Sequence, residues 1–152
     1  MGTDNGVPNP ISLDGPGARA FLGMLRVATG SATRIDVVLR EADAAIKASD
    51  WDLLALIAIA GPLRPSELVA RSSLSGNPTT VSTILNRLEK KEYVVRKAHD
   101  TDPRGVVVHL TATGQELFDE VFAPIVNKVV RPFELNFTAD ELETLADCWS
   151  RF

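Results

Sequence analysis

The dipeptide Asn77-Pro78 constrains this chain more than any other feature. It sets a side chain that accepts hydrogen bonds at a helix N-cap beside a residue pre-set for the first helical turn. Val81, Ile84, Leu85 and Leu88 follow at helical spacing and predict one buried face on a helix ending near Lys90. The opposite face is different in kind. Thr79, Thr80, Ser82, Thr83, Asn86 and Arg87 are small or polar, and the front half, Thr79 to Asn86, carries no charge. Hydroxyls and amides without long charged arms suit close approach to base edges, where they donate or accept.

The surroundings fit that use. Pro65 opens a short helix over Ser66 to Ser72, with Leu68 and Val69 inward, and Ser72 to Asn77 is a turn. Two helices joined by a short turn present the second one outward, so that its N-terminal half can enter a major groove. Upstream, Trp51 to Ala60 is an apolar helix with Ser49 as its expected cap and Gly61-Pro62 as its stop. Downstream, Tyr93 to Ala98 and Val106 to Leu110 read as strands. The polar loop His99 to Gly105 between them makes a hairpin.

The flanks are helical. Met1 to Gly17 reads as a flexible tail. Phe21, Leu22, Met24, Leu25, Ala28, Ile35, Val38, Leu39, Ala42 and Ile46 then predict a long helix from about Arg19 to Lys47. Thr111 or Thr113 caps a helix expected to reach Val130. Pro124 is a candidate kink and Arg131-Pro132 a boundary. Thr138 and Glu141 form a capping box for a last helix to about Arg151. The expected fold class is mainly α with a small antiparallel β hairpin. Phe133, Leu135, Phe137, Leu142, Leu145, Trp149 and Phe152 are a dense apolar set for a terminal region. With the first helix they predict a dimer interface resembling a split core.

Composition removes other classes. A chain of 152 residues that is 45% apolar is one domain, or a small core with an appended interface, and not a disordered chain. No run reaches 18 apolar residues, so no membrane span is expected. The N-terminus lacks a basic region and an apolar core, which leaves the cytoplasm as the expected compartment. The lone cysteine, Cys148, excludes an internal disulfide framework and, with two histidines, argues against a zinc site. Cys148 reads as a packing residue, and His99 and His109 as outward-facing polar positions. No nucleophile–base–acid spacing, phosphate-cradling glycine loop or metal signature suggests an enzyme, and no cofactor is implied. The net charge of −4 argues against a nucleic-acid partner until its distribution is considered. Arg71 to Gly105 holds seven basic and four acidic residues, a local balance of +3 that leaves −7 for the rest. A basic footprint matters more than the total.

Residues 51 to 114 resemble the winged helix-turn-helix of the MarR family of bacterial transcriptional regulators. The resemblance rests on Gly61-Pro-Leu-Arg-Pro-Ser-Glu-Leu68, on Leu74 to Lys90, on Asp100-Thr-Asp-Pro-Arg-Gly105 and on Leu110-Thr-x-x-Gly114. With the flanking helices it extends over about residues 18 to 150. It divides the chain into a tail (1–17), an N-terminal dimerisation helix (18–48), a winged domain (49–112) and C-terminal dimerisation helices (113–152).

The resemblance implies a homodimer on palindromic double-stranded DNA, more often a repressor than an activator. A small, often aromatic, effector would release it. Trp51, Phe21 and Met24 are candidates to line the effector pocket, although such residues are more often core. Pattern and resemblance together give a DNA-binding set of Arg64, Ser66, Asn77, Thr79, Thr80, Ser82, Thr83, Asn86, Arg87, Lys97 and Arg104. Asp102 would support the wing by fixing the Arg104 side chain through a charge-assisted pair. The dimerisation set is Phe21, Leu25, Phe133, Phe137, Leu142, Leu145 and Trp149.

Three positions depart from the family pattern. Glu92 stands where glycine usually ends the recognition helix. Arg64 stands where a threonine or serine cap is common. Gly105 follows the wing arginine where a second side chain is common. Glu92 and the acidic total support a competing expectation, a winged module for protein interaction with weak or no DNA binding.

Overall fold

The computed structural model describes residues 15–73, 77–99, 102 and 105–151. In order these form helices α1 (Pro16–Glu41), α2 (Ala48–Ala60), α3 (Pro65–Arg71) and α4 (Pro78–Lys90), then strands β1 (Val94–Ala98) and β2 (Val106–Leu110). Helices α5 (Ala112–Ile125), α6 (Arg131–Asn136) and α7 (Ala139–Trp149) follow, with a π-helical turn, Val126–Val130, between α5 and α6. The fold is mainly α with one small antiparallel hairpin. Among the described residues, no helix is long and apolar enough to cross a membrane.

The chain divides into two compact units, Met1–Ser31 and Ala32–Phe152. In the first, Pro16 and Gly17 are the opening residues of α1 rather than the end of a tail, because proline suits a first helical turn. The rest of the expected tail, residues 1–14, lies outside the described residues. Phe21, Leu22, Met24, Leu25 and Val27 are exposed there.

In the second unit α1 ends at Glu41, six residues before the expected Lys47. Asp43, at φ 52°, reverses the chain, and the Ala44 N–H bonds back to the Leu39 carbonyl at 2.8 Å. A left-handed residue closing a helix in this way satisfies an orphan carbonyl. The expected Ser49 cap of α2 is also displaced. The N-cap is Lys47. Asp50 accepts its backbone N–H at 3.0 Å, and Asp36 accepts that of Ala48 at 2.7 Å, so two carboxylates hold the helix start.

The core is continuous through this unit. Val38, Leu39, Leu53, Leu54, Ile57, Leu68, Val94, Val108, Leu117, Val121 and Ile125 meet the predicted α4 stripe of Val81, Ile84, Leu85 and Leu88. Trp51 is a buried core residue and stacks on Phe118, centroids 5.5 Å apart. The hairpin pairs Val94 with Leu110 through Ala98 with Val106. Leu63 adds a rung. Its N–H and carbonyl both bond to Val108, at 3.2 and 2.8 Å, tying the hairpin to the segment before α3.

The C-terminal helices correct two expectations. Thr111 is the α5 cap, accepting from the Gly114 N–H at 3.0 Å. Neither Pro124 nor Arg131-Pro132 ends the helix, which runs through the π-turn to Asn136. Pro132 has no N–H, and its ring would crowd the carbonyl four residues back. Widening the preceding turn, with Arg131 N–H bonding to the Val126 carbonyl, relieves that crowding without a break. The Thr138–Glu141 capping box is present as expected, with the Thr138 N–H 2.8 Å from the Glu141 carboxylate. Phe133 stacks on Phe137 and meets Trp149 edge-on. Leu135, Phe137 and Trp149 stay exposed. Cys148 is exposed rather than packed.

Candidate nucleic-acid interface

Helix α4 begins as its sequence dictates. The Asn77 side chain accepts from the N–H groups of Thr79 and Thr80, both at 3.1 Å. That use makes Asn77 a cap, with its side-chain oxygen committed to the helix. Thr79, Thr80, Ser82, Thr83 and Asn86 are all exposed, on the face opposite the buried stripe. Ser66, on α3, is exposed as well. The Thr83 hydroxyl donates to the Thr79 carbonyl at 2.9 Å.

The cations expected around this face fall into two groups. Arg87 is half-buried and reaches a carboxylate of the core. Its Nε reaches the two carboxylate oxygens of Asp50 at 3.0 and 3.1 Å, and its Nη2 completes the pair. Asp50 is fully buried. Hydrogen bonding to that carboxylate pushes Arg87 further above its ordinary pKa, and desolvation opposes the shift. The pair links the start of α2 to the last turns of α4, so its charge is balanced within the protein. Arg96 is similarly engaged. It ion-pairs with Glu89, and its Nη2 donates to the Asn86 side-chain oxygen at 2.8 Å. Lys90 and Lys97 are exposed, Lys91 is half-buried, and none of the three makes an ion pair among the described residues.

At the wing, Arg104 lies outside the described residues. Asp102 pairs with Arg64, whose Nη1 lies 3.4 Å from its carboxylate, with both side chains about two-fifths exposed. Arg64 is the N-cap of α3 without capping through its own side chain. Glu67 accepts its backbone N–H at 2.8 Å in place of a serine or threonine hydroxyl. Gly105 lies close under the Asp102 side chain. A Cβ there would come within 2.8 Å of the Asp102 carboxylate.

The exit from α4 explains the Leu-Thr-x-x-Gly element. Glu92 sits at φ 60°, in the left-handed region that glycine enters freely. Its carbonyl accepts from the Thr111 hydroxyl, and the Tyr93 carbonyl accepts from the Thr111 N–H at 3.1 Å. Gly114 then packs so closely that an added Cβ would lie 2.1 Å from the Tyr93 oxygen. Threonine and glycine at this spacing clamp the end of the helix to the start of α5.

The sequence profile of the MarR family matches residues 46–105. The multiple antibiotic resistance protein MarR of Escherichia coli (strain K12) is 31% identical over 100 residues, covering 66% of this chain and 68% of that protein. The chain belongs to the MarR family. An uncharacterised HTH-type transcriptional regulator of Bacillus subtilis (strain 168), YkoM, is 29% identical over 98 residues, and the match spans 64% of this chain and 61% of YkoM. A crystal structure of a mutant E. coli MarR complexed with operator DNA superposes with a TM-score of 0.71 at 26% identity, covering 90% of this chain and 93% of that one. Within this MarR-family fold, the hairpin is the wing and α4 is the second helix of the helix-turn-helix.

Sequence reasoning placed the α4 face correctly but missed Asp50 and Glu89. Each is the partner that decides how an arginine is used. Asp50 lies 37 residues from Arg87, and no local pattern connects them. Glu89 does carry a signal, since it precedes Arg96 across a helix-to-strand turn.

Proposed function

We propose that this chain is a sequence-specific DNA-binding transcriptional regulator that works as a homodimer, a repressor released by a small ligand. The observation that carries the reading is the exposed, uncharged face of α4, set behind a capped helix start and flanked by Lys90, Lys91 and Lys97. The likeness to a MarR structure holding operator DNA supports it. In this reading Thr79, Thr80, Ser82, Thr83 and Asn86 read base edges. Ser66, Arg64, Lys97 and Arg104 contact phosphate or the wing's path along the duplex. Asn77 and Arg87 set the helix rather than touch DNA. Two copies would place their α4 helices in successive major grooves about 34 Å apart on a palindrome. The exposed apolar residues of each unit, Phe21 and Leu25 in one and Phe137 and Trp149 in the other, are surface for a second copy to cover. Phe133, Leu142 and Leu145 back the C-terminal part. A ligand that prefers another spacing of the two helices lowers affinity by shifting the population.

The test is a titration of the protein with DNA from immediately upstream of its own gene, beside Arg104→Ala. Nanomolar, salt-sensitive binding that weakens in the variant supports the regulator. Equal micromolar binding of both proteins to any duplex favours the protein-interaction module, to which the internal neutralisation of Arg87 and Arg96 also points.

A further inference from the structure

Asn86 is the only amide on the exposed face of α4, and its orientation is not free. The Arg96 Nη2 lies 2.8 Å from one of its terminal atoms. A guanidinium has donors and no acceptor, so that atom must be the carbonyl oxygen. Arg96 is itself held. Its other terminal nitrogen ion-pairs with Glu89, and its backbone N–H donates to the same carboxylate at 3.2 Å. The Asn86 amide N–H groups therefore point away from Arg96 and have no protein partner among the described residues. One turn earlier the Thr83 hydroxyl has spent its hydrogen on the Thr79 carbonyl, which leaves an acceptor facing out.

Resting on the DNA-binding reading above, we infer that Arg96 is a positioning residue and that it makes Asn86 a donor to a base edge. An unrestrained asparagine pairs with adenine by giving one hydrogen bond and taking another. Asn86, with its oxygen turned toward Arg96 and its NH2 turned away, matches an edge that offers acceptors. Guanine offers two, O6 and N7, and cytosine offers only the donor N4–H2. Guanine is thus the preferred base at the position facing Asn86, and cytosine the most strongly rejected.

The test is selection of bound duplexes from a randomised pool by the full chain and by Asn86→Asp, followed by sequencing. The exposed site tolerates the exchange, which keeps an acceptor for Arg96 but removes both donors. The wild-type chain should enrich guanine at one position per half-site, about tenfold over cytosine. Asn86→Asp should move the preference to cytosine at that position alone. Arg96→Met, as a second variant, should raise adenine there while the other positions and the salt dependence hold. Identical base preferences in wild type and Asn86→Asp overturn the inference. Salt-dependent binding without any base preference overturns it too, yet leaves DNA binding standing. Failure to bind any duplex at low salt overturns the DNA reading, and the inference falls with it.

Discussion

Glu92 holds a left-handed backbone without being glycine, at a cost of about 1 kcal/mol. Its neighbours impose the conformation, because the Thr111 hydroxyl and N–H seize the carbonyls of residues 92 and 93. We expect Glu92→Gly to raise stability by about 0.5–1 kcal/mol in urea titration. It should also strengthen DNA binding at low salt, since a negative charge beside Lys90 and Lys91 disappears. A stability loss would mean that the Glu92 side chain contributes something its strain conceals. Arg87 and Asp50 make the opposite case. Removing the guanidinium in Arg87→Ala leaves a buried carboxylate whose remaining partner among the described residues is the Lys47 N–H. The expected loss is about 2–4 kcal/mol, discounted because the arginine end is partly exposed. Denaturant midpoints at constant slope check it.

Among the elements, the joint between α4 and α5 is the tightest. Gly114→Ala drives a methyl group against the Tyr93 carbonyl, with about 2–3 kcal/mol of expected destabilisation. Wild-type stability in that variant would refute the clamp. The joint between α2 and α3 is pH-sensitive. Burial raises the Asp52 pKa above its ordinary value, and hydrogen bonds from Ser73 only partly offset this. An acid whose folded pKa is raised binds its proton more tightly when folded. Its contribution therefore declines as pH rises from the ordinary aspartate range through the folded pKa. Asp52→Asn, which can still accept from the Ser73 N–H, should flatten that decline and be neutral or stabilising at pH 7. A steeper decline in the variant would reverse the sign. These joints also mark what the sequence could and could not tell. The starts of α4 and α7 were legible because caps act over three residues, as Asn77 and Thr138 do. The start of α2 was not. Asp36 reaches it from twelve residues away, and Ser49 was only the nearer choice. The continuation of the helix past Arg131-Pro132 was hidden because a π-turn leaves no local mark.

For the whole molecule, the sign of the net charge matters less than where cations are spent. Of the basic residues around α4, Arg87 and Arg96 are paired internally, and Arg64 shares Asp102. Among the described residues around α4, Lys90, Lys91 and Lys97 remain unpaired for phosphate. Affinity should accordingly fall with salt less steeply than a heavily basic binder's, and recognition should lean on the neutral face of α4. The decisive experiment is an anisotropy titration of an operator duplex and a scrambled duplex with the full chain and with a Thr79→Ala, Thr80→Ala, Thr83→Ala variant. If the α4 face reads sequence, the operator-to-scrambled affinity ratio collapses toward one in the variant, while scrambled binding and its salt slope stay unchanged. An undiminished ratio would place recognition elsewhere on the molecule and contradict the role assigned to α4.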